Sequence, residues 1–213
     1  MIKNEMSIYS YIKGEFNLSM LQRLIQQAKN PRGTIGSSML CIMNAAHTRL
    51  TNWALQKIHI REDEITLDIG CGGGKTIHTL SRRIPFGKIY GIDYSEQAVE
   101  SSKKANMKDV KTGKVIIQQA SVSSIPHNTN FFDLITAFQT HYFWPHVDQD
   151  IKEVFRTLKT DGSFLLVAET FKIQYHMKKF KTTEEIVNLL YKTGFTSVKC
   201  YEERGCLCVI GIK

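Results

Sequence analysis

The chain has 213 residues, of which 42% are hydrophobic and 23% charged, as is ordinary for a soluble globular protein with one buried core. No apolar run approaches the roughly 20 residues of a membrane-spanning helix, and the N-terminus lacks the apolar core of a secretory signal. The five cysteines do not show the spacing of a disulfide framework. We therefore expect reduced thiols and a cytoplasmic protein.

The formal net charge of +8 permits binding to nucleic acid or to another acidic surface. The lysines are spread along the chain, with only small clusters at Lys103–Lys104 and at 178–181. Such spreading favours a solvated basic surface over a nucleic-acid arm. We therefore do not expect nucleic acid as the main partner, although the charge does not exclude it.

Residues 1–60 precede the first predicted strand and carry two predicted helices. The first begins near Ser19 and is stopped by Asn30-Pro31, and the second begins near Ser37 and runs to about Ala54. This is too little for an independent domain, so we interpret it as a helical cap on the domain formed by residues 61–213. Asn44 and His47 lie on one face of the second helix. They are candidates for a substrate pocket, and an ordinary polar helix face is the alternative.

The sequence from Ile65 to Gly74 reads ITLDIGCGGG and predicts a strand, a glycine-rich turn and the start of a helix. Glycines at such a turn allow positive φ angles and let a ligand lie against the main chain. The helix that follows offers free N–H groups at its N-terminus.

The rest of the chain alternates strands and helices, which favours a parallel sheet. Ser95 is a candidate N-cap, Thr182 with Glu185 forms a candidate capping box, and Gly194 ends the last predicted helix. The two strands that close the chain are joined by a link too short for a crossover, so they must be antiparallel. The predicted strands are residues 65–69, 88–93, 114–118, 133–138, 163–169, 195–201 and 206–212, with a turn at 159–162.

A second acid, Asp93, ends the next predicted strand, 19 residues after Gly74. A carboxylate at this place can accept hydrogen bonds from ribose hydroxyls. The glycine spacing differs from the dinucleotide fingerprint, because Lys75 stands where the third glycine would be. This disfavours an oxidoreductase that uses NAD.

The motif Asp-x-Gly-x-Gly-x-Gly followed by Asp93 resembles the class I S-adenosylmethionine-dependent methyltransferases. The Phe-Trp-Pro at 143–145, followed by the sequence of residues 153–159, resembles the type 11 branch of that family. The resemblance covers residues 65 to 212. It implies an α/β fold with a Rossmann-like, seven-stranded mixed sheet, helices on both faces and an antiparallel last strand.

The resemblance also implies S-adenosylmethionine as the cofactor and gives roles to individual residues. Asp68 would orient the loop and the methionine ammonium, Asp93 would bind the ribose, and Tyr94 would lie against the adenine. Ser121 stands where the family often has an acid at the adenine amino group. The implied cofactor-binding residues are Asp68, Gly70, Cys71, Gly72, Gly74, Asp93, Tyr94, Ser121, Val122 and Phe138. We expect Cys71 to be a small apolar residue and not a nucleophile.

The segment that follows the fourth strand should lie where the acceptor meets the methyl group, because ligands bind beyond the carboxyl ends of such strands. His141 or Tyr142 could remove a proton from the acceptor. The alternative, which we prefer, is that Tyr142, Phe143 and Trp144 only enclose the sulfonium. We expect no metal: the Cys206-x-Cys208 pair shows no zinc spacing, and a thiol-rich metalloid site would need more cysteines.

The sequence therefore predicts a methyltransferase that acts by in-line displacement on an unidentified acceptor, most simply a small molecule. One alternative is a non-catalytic protein that binds S-adenosylmethionine and regulates a partner. Another is an RNA or protein methyltransferase. A homodimer is compatible with the sequence.

Overall fold

The structure is a computed structural model, and it describes residues 48–213. The predicted helix that begins near Ser19, the candidate pocket residues Asn44 and His47, and most of the predicted cap lie outside the described residues. A helical stretch, α1, covers residues 48–54 and ends where the sequence predicts.

Seven strands form one sheet in the order β3-β2-β1-β4-β5-β7-β6. The first five strands are mutually parallel, and β7 runs antiparallel to both β5 and β6. The predicted fold class is thus confirmed. The strands are β1 Ile65–Ile69, β2 Lys88–Asp93, β3 Val115–Gln119, β4 Phe132–Phe138, β5 Leu158–Glu169, β6 Ser197–Glu203 and β7 Cys206–Ile212.

The reversal at the end of the sheet comes from a hairpin of two residues. Arg204 (φ 50°) and Gly205 (φ 73°) connect β6 to β7, and Glu203 pairs with Cys206. Positive φ at both loop residues gives a turn whose twist matches that of the flanking strands. So short a link leaves no room for a crossover, and the two strands are therefore antiparallel.

Helices cover both faces of the sheet. Consecutive residues of β5 point to opposite faces: Phe164 and Leu166 join one buried cluster, and Leu165 and Val167 join the other. The helices after α1 are α2 Lys75–Arg83, α3 Glu96–Ala105, α4 Met107–Lys111, α5 Val147–Thr157, α6 Thr170–His176 and α7 Thr183–Thr193. The first cluster packs against α5, α6 and α7, and the second against α1, α2 and α3.

The predicted helix ends are confirmed. The Ser95 hydroxyl accepts a hydrogen bond from the Ala98 N–H (3.3 Å). Thr182 and Glu185 form the complete capping box of α7, and Gly194 ends that helix in the left-handed region. Local side-chain chemistry fixes these ends, so the sequence alone is enough to place them.

One strand and three short helices differ from the prediction. The turn expected at 159–162 lies within β5, which begins at Leu158, and the register of β5 against β4 shifts there. Asp161 adopts a φ of 61° at this irregularity. The sequence also gave no sign of α4, of α6, or of a short 3₁₀ helix at His141–Phe143. None of these three short helices has a side-chain N-cap, which is the usual sequence signal for a helix start.

Within residues 48–213, none of the helices has the length and apolarity needed to cross a membrane.

Candidate functional site

The glycine-rich loop lies at the carboxyl end of β1 and touches the segment that follows β4. The N–H groups of Gly70 and Cys71 both donate to the Ile92 carbonyl (2.8 and 3.1 Å), which fixes the loop against the end of β2. Gly70 has a φ of 68°, and a Cβ atom there would overlap with the Thr140 side chain. Glycine is therefore required at this position for two reasons, the backbone angle and the close approach of the two chain segments.

A buried asparagine, Asn106, connects the end of the glycine-rich loop to the last turn of α3. The Asn106 side chain donates to the carbonyls of Gly74 (3.0 Å) and Ser102 (2.9 Å). Gly74 is the N-cap of α2, with a φ of 80°, and a Cβ atom there would overlap with Ser102. Sequence reasoning missed Asn106, because its position after α3 follows no motif.

Asp93 connects the loop to the start of α3. Its Oδ2 atom accepts the Gly72 N–H and its Oδ1 atom accepts the Ser95 N–H, both at 2.9 Å. Burial raises the pKa of this carboxyl, and the backbone hydrogen bonds oppose that rise. Each carboxylate oxygen can accept a further hydrogen bond, so binding of a ribose would not require the two existing bonds to break.

Asp68 lies inside the sheet below the loop, and its side chain is almost completely buried. Its Oδ1 atom accepts the Thr136 hydroxyl of the neighbouring strand (2.7 Å). Burial raises the pKa of Asp68 to about 7, although the Thr136 hydrogen bond acts in the other direction. The carboxyl thus changes charge close to neutral pH.

The residues implied for the adenine side lie after β2 and β3. Tyr94 follows Asp93 with its ring 68% exposed, and its carbonyl accepts the Gln119 side-chain amide (2.9 Å). The Ser121 hydroxyl accepts the Ser123 N–H (3.2 Å) and so also shapes its own turn. Val122 is buried.

Cys71 and Phe138 are both buried, and they belong to the apolar cluster on the α1 side of the sheet. Burial raises the pKa of the Cys71 thiol well above its ordinary value, and the carboxylates Asp93 and Asp68 add to the rise. A thiol in such surroundings is a poor nucleophile. Cys71 therefore has the character of an apolar residue at the base of the loop.

His141 is buried in the 3₁₀ helix that follows β4. It is 1% exposed, and neither of its ring nitrogens has a hydrogen-bond partner within residues 48–213. Burial lowers its pKa to about 3. The imidazole is therefore neutral at physiological pH, and a base with so low a pKa takes up a proton weakly. The indole N–H of Trp144, also buried, likewise has no partner in the described part of the chain.

Tyr142 is fixed by its two neighbours. Its hydroxyl donates to the Gln139 Oε1 atom (2.9 Å), and its ring stacks on that of His176 with 5.3 Å between ring centroids. Burial raises the pKa of the phenol above its ordinary value, and Glu169 adds to the rise. Phe143 also packs against His176, edge to face at 4.9 Å. The 3₁₀ helix thus rests on α6.

Gln139 connects β4 to β5 and was missed by sequence reasoning. It is a buried non-glycine residue with a φ of 56°, and its side-chain amide donates to the Glu169 carboxylate (3.0 Å). Glu169 in turn pairs with Lys172 of α6 (2.6 Å). A glutamine at the end of a strand carries no motif, so no sequence signal could have found it.

The groups gathered at this edge of the sheet suit S-adenosylmethionine. The loop after β1 presents main chain at glycines with positive φ, Asp93 follows β2, and an exposed aromatic ring stands beside it. These groups offer acceptors for ribose hydroxyls and a flat face for a base. Among the described residues, no group of three or more His, Cys, Asp and Glu side chains could hold a metal ion.

Comparison with known proteins agrees with this chemistry. A family model described as "Methyltransferase domain", of type 11, matches residues 67–166. The chain is 24% identical over 159 residues to YrhH of Bacillus subtilis (strain 168), named as a methyltransferase, and the match covers 75% of this chain and 83% of that protein. It is 25% identical over 108 residues to the demethylmenaquinone methyltransferase of Lactobacillus johnsonii, covering 50% of this chain and 44% of that protein.

Among solved structures, a SAM-dependent methyltransferase from Aquifex aeolicus has the same fold, with a TM-score of 0.66 and 19% identity. The match covers 82% of this chain and 97% of that one. The sheet order, the glycine-rich loop followed by Asp93, and the family match lead to one assignment. Together these findings support a class I S-adenosylmethionine-dependent methyltransferase of the type 11 branch, and they imply S-adenosylmethionine as its cofactor.

Proposed function

We propose that the chain transfers the methyl group to a small-molecule acceptor by in-line displacement and that it does so without a protein base. The observation that carries this proposal is the chemistry of residues 141–144. The segment lies next to the cofactor loop through the contact of Gly70 with Thr140, and it is aromatic and largely buried. When bound, S-adenosylmethionine supplies an activated methyl group and its leaving group.

The main chain of the glycine-rich loop would hold the methionine part of the cofactor, and Asp93 its ribose hydroxyls. Asp68, buried in β1, would orient the loop from inside the sheet. Tyr94, Ser121 and Val122 would surround the adenine, and Phe138 and Cys71 form the apolar base of the site. Because Asp93 already fixes Gly72 and Ser95, one carboxylate would position both the loop and the ribose.

The aromatic segment would exclude water from the site of transfer. Tyr142, Phe143 and Trp144 present rings that suit a cationic sulfonium. The packing of Tyr142 and Phe143 on His176 limits the motion of those two rings. His141 is too weak a base and the Tyr142 phenol too weak an acid to exchange protons readily near neutral pH. The proposal therefore requires an acceptor atom that is nucleophilic without the help of these residues.

Small-molecule chemistry is supported by the name of the Lactobacillus johnsonii relative, whose substrate is a quinone. An enclosed aromatic segment also suits a small flat acceptor better than a polymer. We further propose that the protein acts in the cytoplasm.

The first test is calorimetric titration with S-adenosylmethionine, S-adenosylhomocysteine and NAD, followed by a screen of small molecules for release of S-adenosylhomocysteine. We expect the first two ligands to bind and NAD not to bind. Turnover with a thiol, a weakly basic amine or an acidic phenol would support the proposal, because each of these has a nucleophilic form near neutral pH without a protein base. Turnover only with RNA or a protein would contradict it, and tight cofactor binding without turnover across the screen would favour the regulatory alternative.

A further inference from the structure

Helix α6 carries apolar side chains on both of its sides. Ile173, His176 and Met177 point inward, and His176 packs on Tyr142 of the 3₁₀ helix. On the outer side, Phe171 and Tyr175 are 63% and 64% exposed and lie one helical turn apart. Gln174 is exposed between these two rings, so the outer side of α6 combines aromatic and polar groups. Within the described residues the outer side of α6 is exposed.

Lysines adjoin these two rings. Lys178 and Lys179 are exposed and follow α6 directly. The Gln174 side chain donates to the Lys181 carbonyl (3.0 Å), which ties the lysine-bearing segment back to the helix. We call Phe171, Tyr175, Lys178 and Lys179 the α6 surface. Residues 170–181 contain four lysines and no Asp, Glu or Arg.

We propose that the α6 surface docks the protein on an anionic lipid bilayer. Segments that lie in a membrane interface are rich in apolar and amphipathic aromatic rings with lysines beside them. Phe171 supplies an apolar ring, Tyr175 an amphipathic one, and Lys178 and Lys179 the adjacent charges. Lysines near the surface add attraction to anionic headgroups, and the net charge of +8 acts in the same direction. A patch of exposed rings of this kind otherwise stays in contact with water.

Two other occupants fit the α6 surface less well. A second copy related by a two-fold axis would bring Lys178 and Lys179 of both copies into one interface, and residues 170–181 contain no carboxylate to pair with them. Nucleic acid is read most often by arginine, which pairs with phosphates and stacks on bases, and residues 170–181 have none. A bilayer satisfies both the rings and the lysines.

The position of α6 gives docking a consequence for the site. The helix begins where β5 ends, at the edge of the sheet that carries the glycine-rich loop, and its inner side holds Tyr142 and Phe143. A docked protein would present this edge to the bilayer. The inference stands apart from the choice of acceptor, because vesicle binding is measured without methyl transfer.

The test is co-sedimentation of the full chain with vesicles of phosphatidylcholine and phosphatidylglycerol (7:3) and with vesicles of phosphatidylcholine alone. We expect binding to the anionic vesicles only, weakening as salt screens the charges. Phe171→Ser with Tyr175→Ser, and separately Lys178→Glu with Lys179→Glu, should each reduce the partition coefficient at least tenfold. About fivefold per lysine corresponds to its usual contribution near an anionic leaflet.

Matched controls are available at the other edge of the sheet. Phe86, 79% exposed, precedes β2, and Lys104 and Lys108 are exposed near the end of α3 and on α4. Phe86→Ser should leave the partition unchanged. Lys104→Glu with Lys108→Glu changes the net charge as much as the α6 pair does, but should have a much smaller effect. A second readout is the quenching of Phe171→Trp by brominated acyl chains, with Phe86→Trp as the unquenched control.

Four results would overturn the proposal. The first is no binding to the anionic vesicles, and the second is equal loss in the two charge variants, which would show attraction to net charge alone. The third is a change of oligomeric state in the Phe171 and Tyr175 variant, measured by sedimentation, without a change in partition. The fourth is binding to a single-stranded oligonucleotide that depends on the α6 surface while the vesicles are ignored.

Discussion

Two neighbouring chain segments line the carboxyl edge of the sheet, and they are held in different ways. The loop after β1 is fixed through its main chain, by the N–H groups of Gly70, Cys71 and Gly72. The segment after β4 has one main-chain contact with β5, from the Gln139 N–H to the Val167 carbonyl (2.8 Å). It is otherwise fixed through side chains, by the Tyr142 hydroxyl and the amide of Gln139. A loop held by its main chain tolerates only residues that allow its φ angles, and it therefore leaves a motif in the sequence. A segment held by side chains can be built from many residue types and leaves a weaker signal, here the Phe-Trp-Pro at 143–145.

The largest effect should follow from adding one methyl group to the main-chain loop. Gly70→Ala strains a φ of 68° and pushes the new Cβ atom into Thr140. Strain and overlap together should lower the free energy of unfolding by about 2–5 kcal/mol. Gly113→Ala is the matched control, because Gly113 has a φ of 74° but open space around it. It should lose only the strain, about 1 kcal/mol. Chemical denaturation measures both.

A double variant separates the two contributions. Thr140→Ala in the Gly70→Ala background removes the side-chain atoms nearest to the new methyl group and should recover part of the lost stability. Equal losses of unfolding free energy in Gly70→Ala and Gly113→Ala, with no recovery in the double variant, would contradict this expectation. They would mean that a Cβ atom at position 70 does not overlap with Thr140.

The pH dependence of stability should reveal the buried Asp68 carboxyl. Its pKa is raised from 3.8 in the unfolded chain to about 7 in the folded one. The folded state therefore holds a proton that the unfolded state releases, so this contribution is complete below pH 3.8 and is lost as the pH rises through about 7. The loss is on the order of 4 kcal/mol.

Asp68→Asn keeps the size of the side chain and removes its titration. We expect the difference in unfolding free energy between the variant and the parent chain to rise between pH 5 and pH 8 in favour of the variant. Urea titrations across that range measure it. A difference that stays constant with pH would contradict a raised pKa at Asp68.

The sequence was sufficient to predict most of the fold, because the signals that determine it are local. Alternating apolar strands, the Ser95 cap, the capping box of Thr182 and Glu185, and the short link before Cys206 each act over a few residues. The β5 irregularity at Asp161 depends on pairing with a distant strand and was missed. In the site, the glycine-rich loop could be identified from its motif. Asn106 and Gln139 act through contacts 30 or more residues away along the chain, which no local pattern encodes.

On our proposal Asp93 contacts both the glycine-rich loop and the cofactor, so replacing it tests the ribose assignment at the end of β2. Asp93→Ala removes the acceptor of the Gly72 and Ser95 N–H groups and, on our proposal, of the ribose hydroxyls. The affinity for S-adenosylhomocysteine should fall by about 1–3 kcal/mol in calorimetric titration. Asp109→Ala is the control, because Asp109 accepts the Ser81 hydroxyl away from the site (2.6 Å). An unchanged affinity in Asp93→Ala would argue against ribose binding at this carboxylate.

The smallest effect should come from Tyr142→Phe, which tests whether the aromatic segment only encloses the site. The variant keeps the ring that stacks on His176 and removes the hydroxyl that donates to Gln139. The Gln139 Oε1 atom still accepts the Glu169 N–H (3.3 Å), so the variant should lose only about 1 kcal/mol of unfolding free energy. Tyr191→Phe, at a ring 49% exposed, should lose close to nothing. Once an acceptor is known, enclosure predicts that Tyr142→Phe retains most of kcat, since the ring remains in place. A base at Tyr142 predicts instead a fall in kcat of about 100-fold or more with unchanged affinity for S-adenosylhomocysteine. That second outcome would mean that side chains hold the β4 segment for proton transfer and not for exclusion of water.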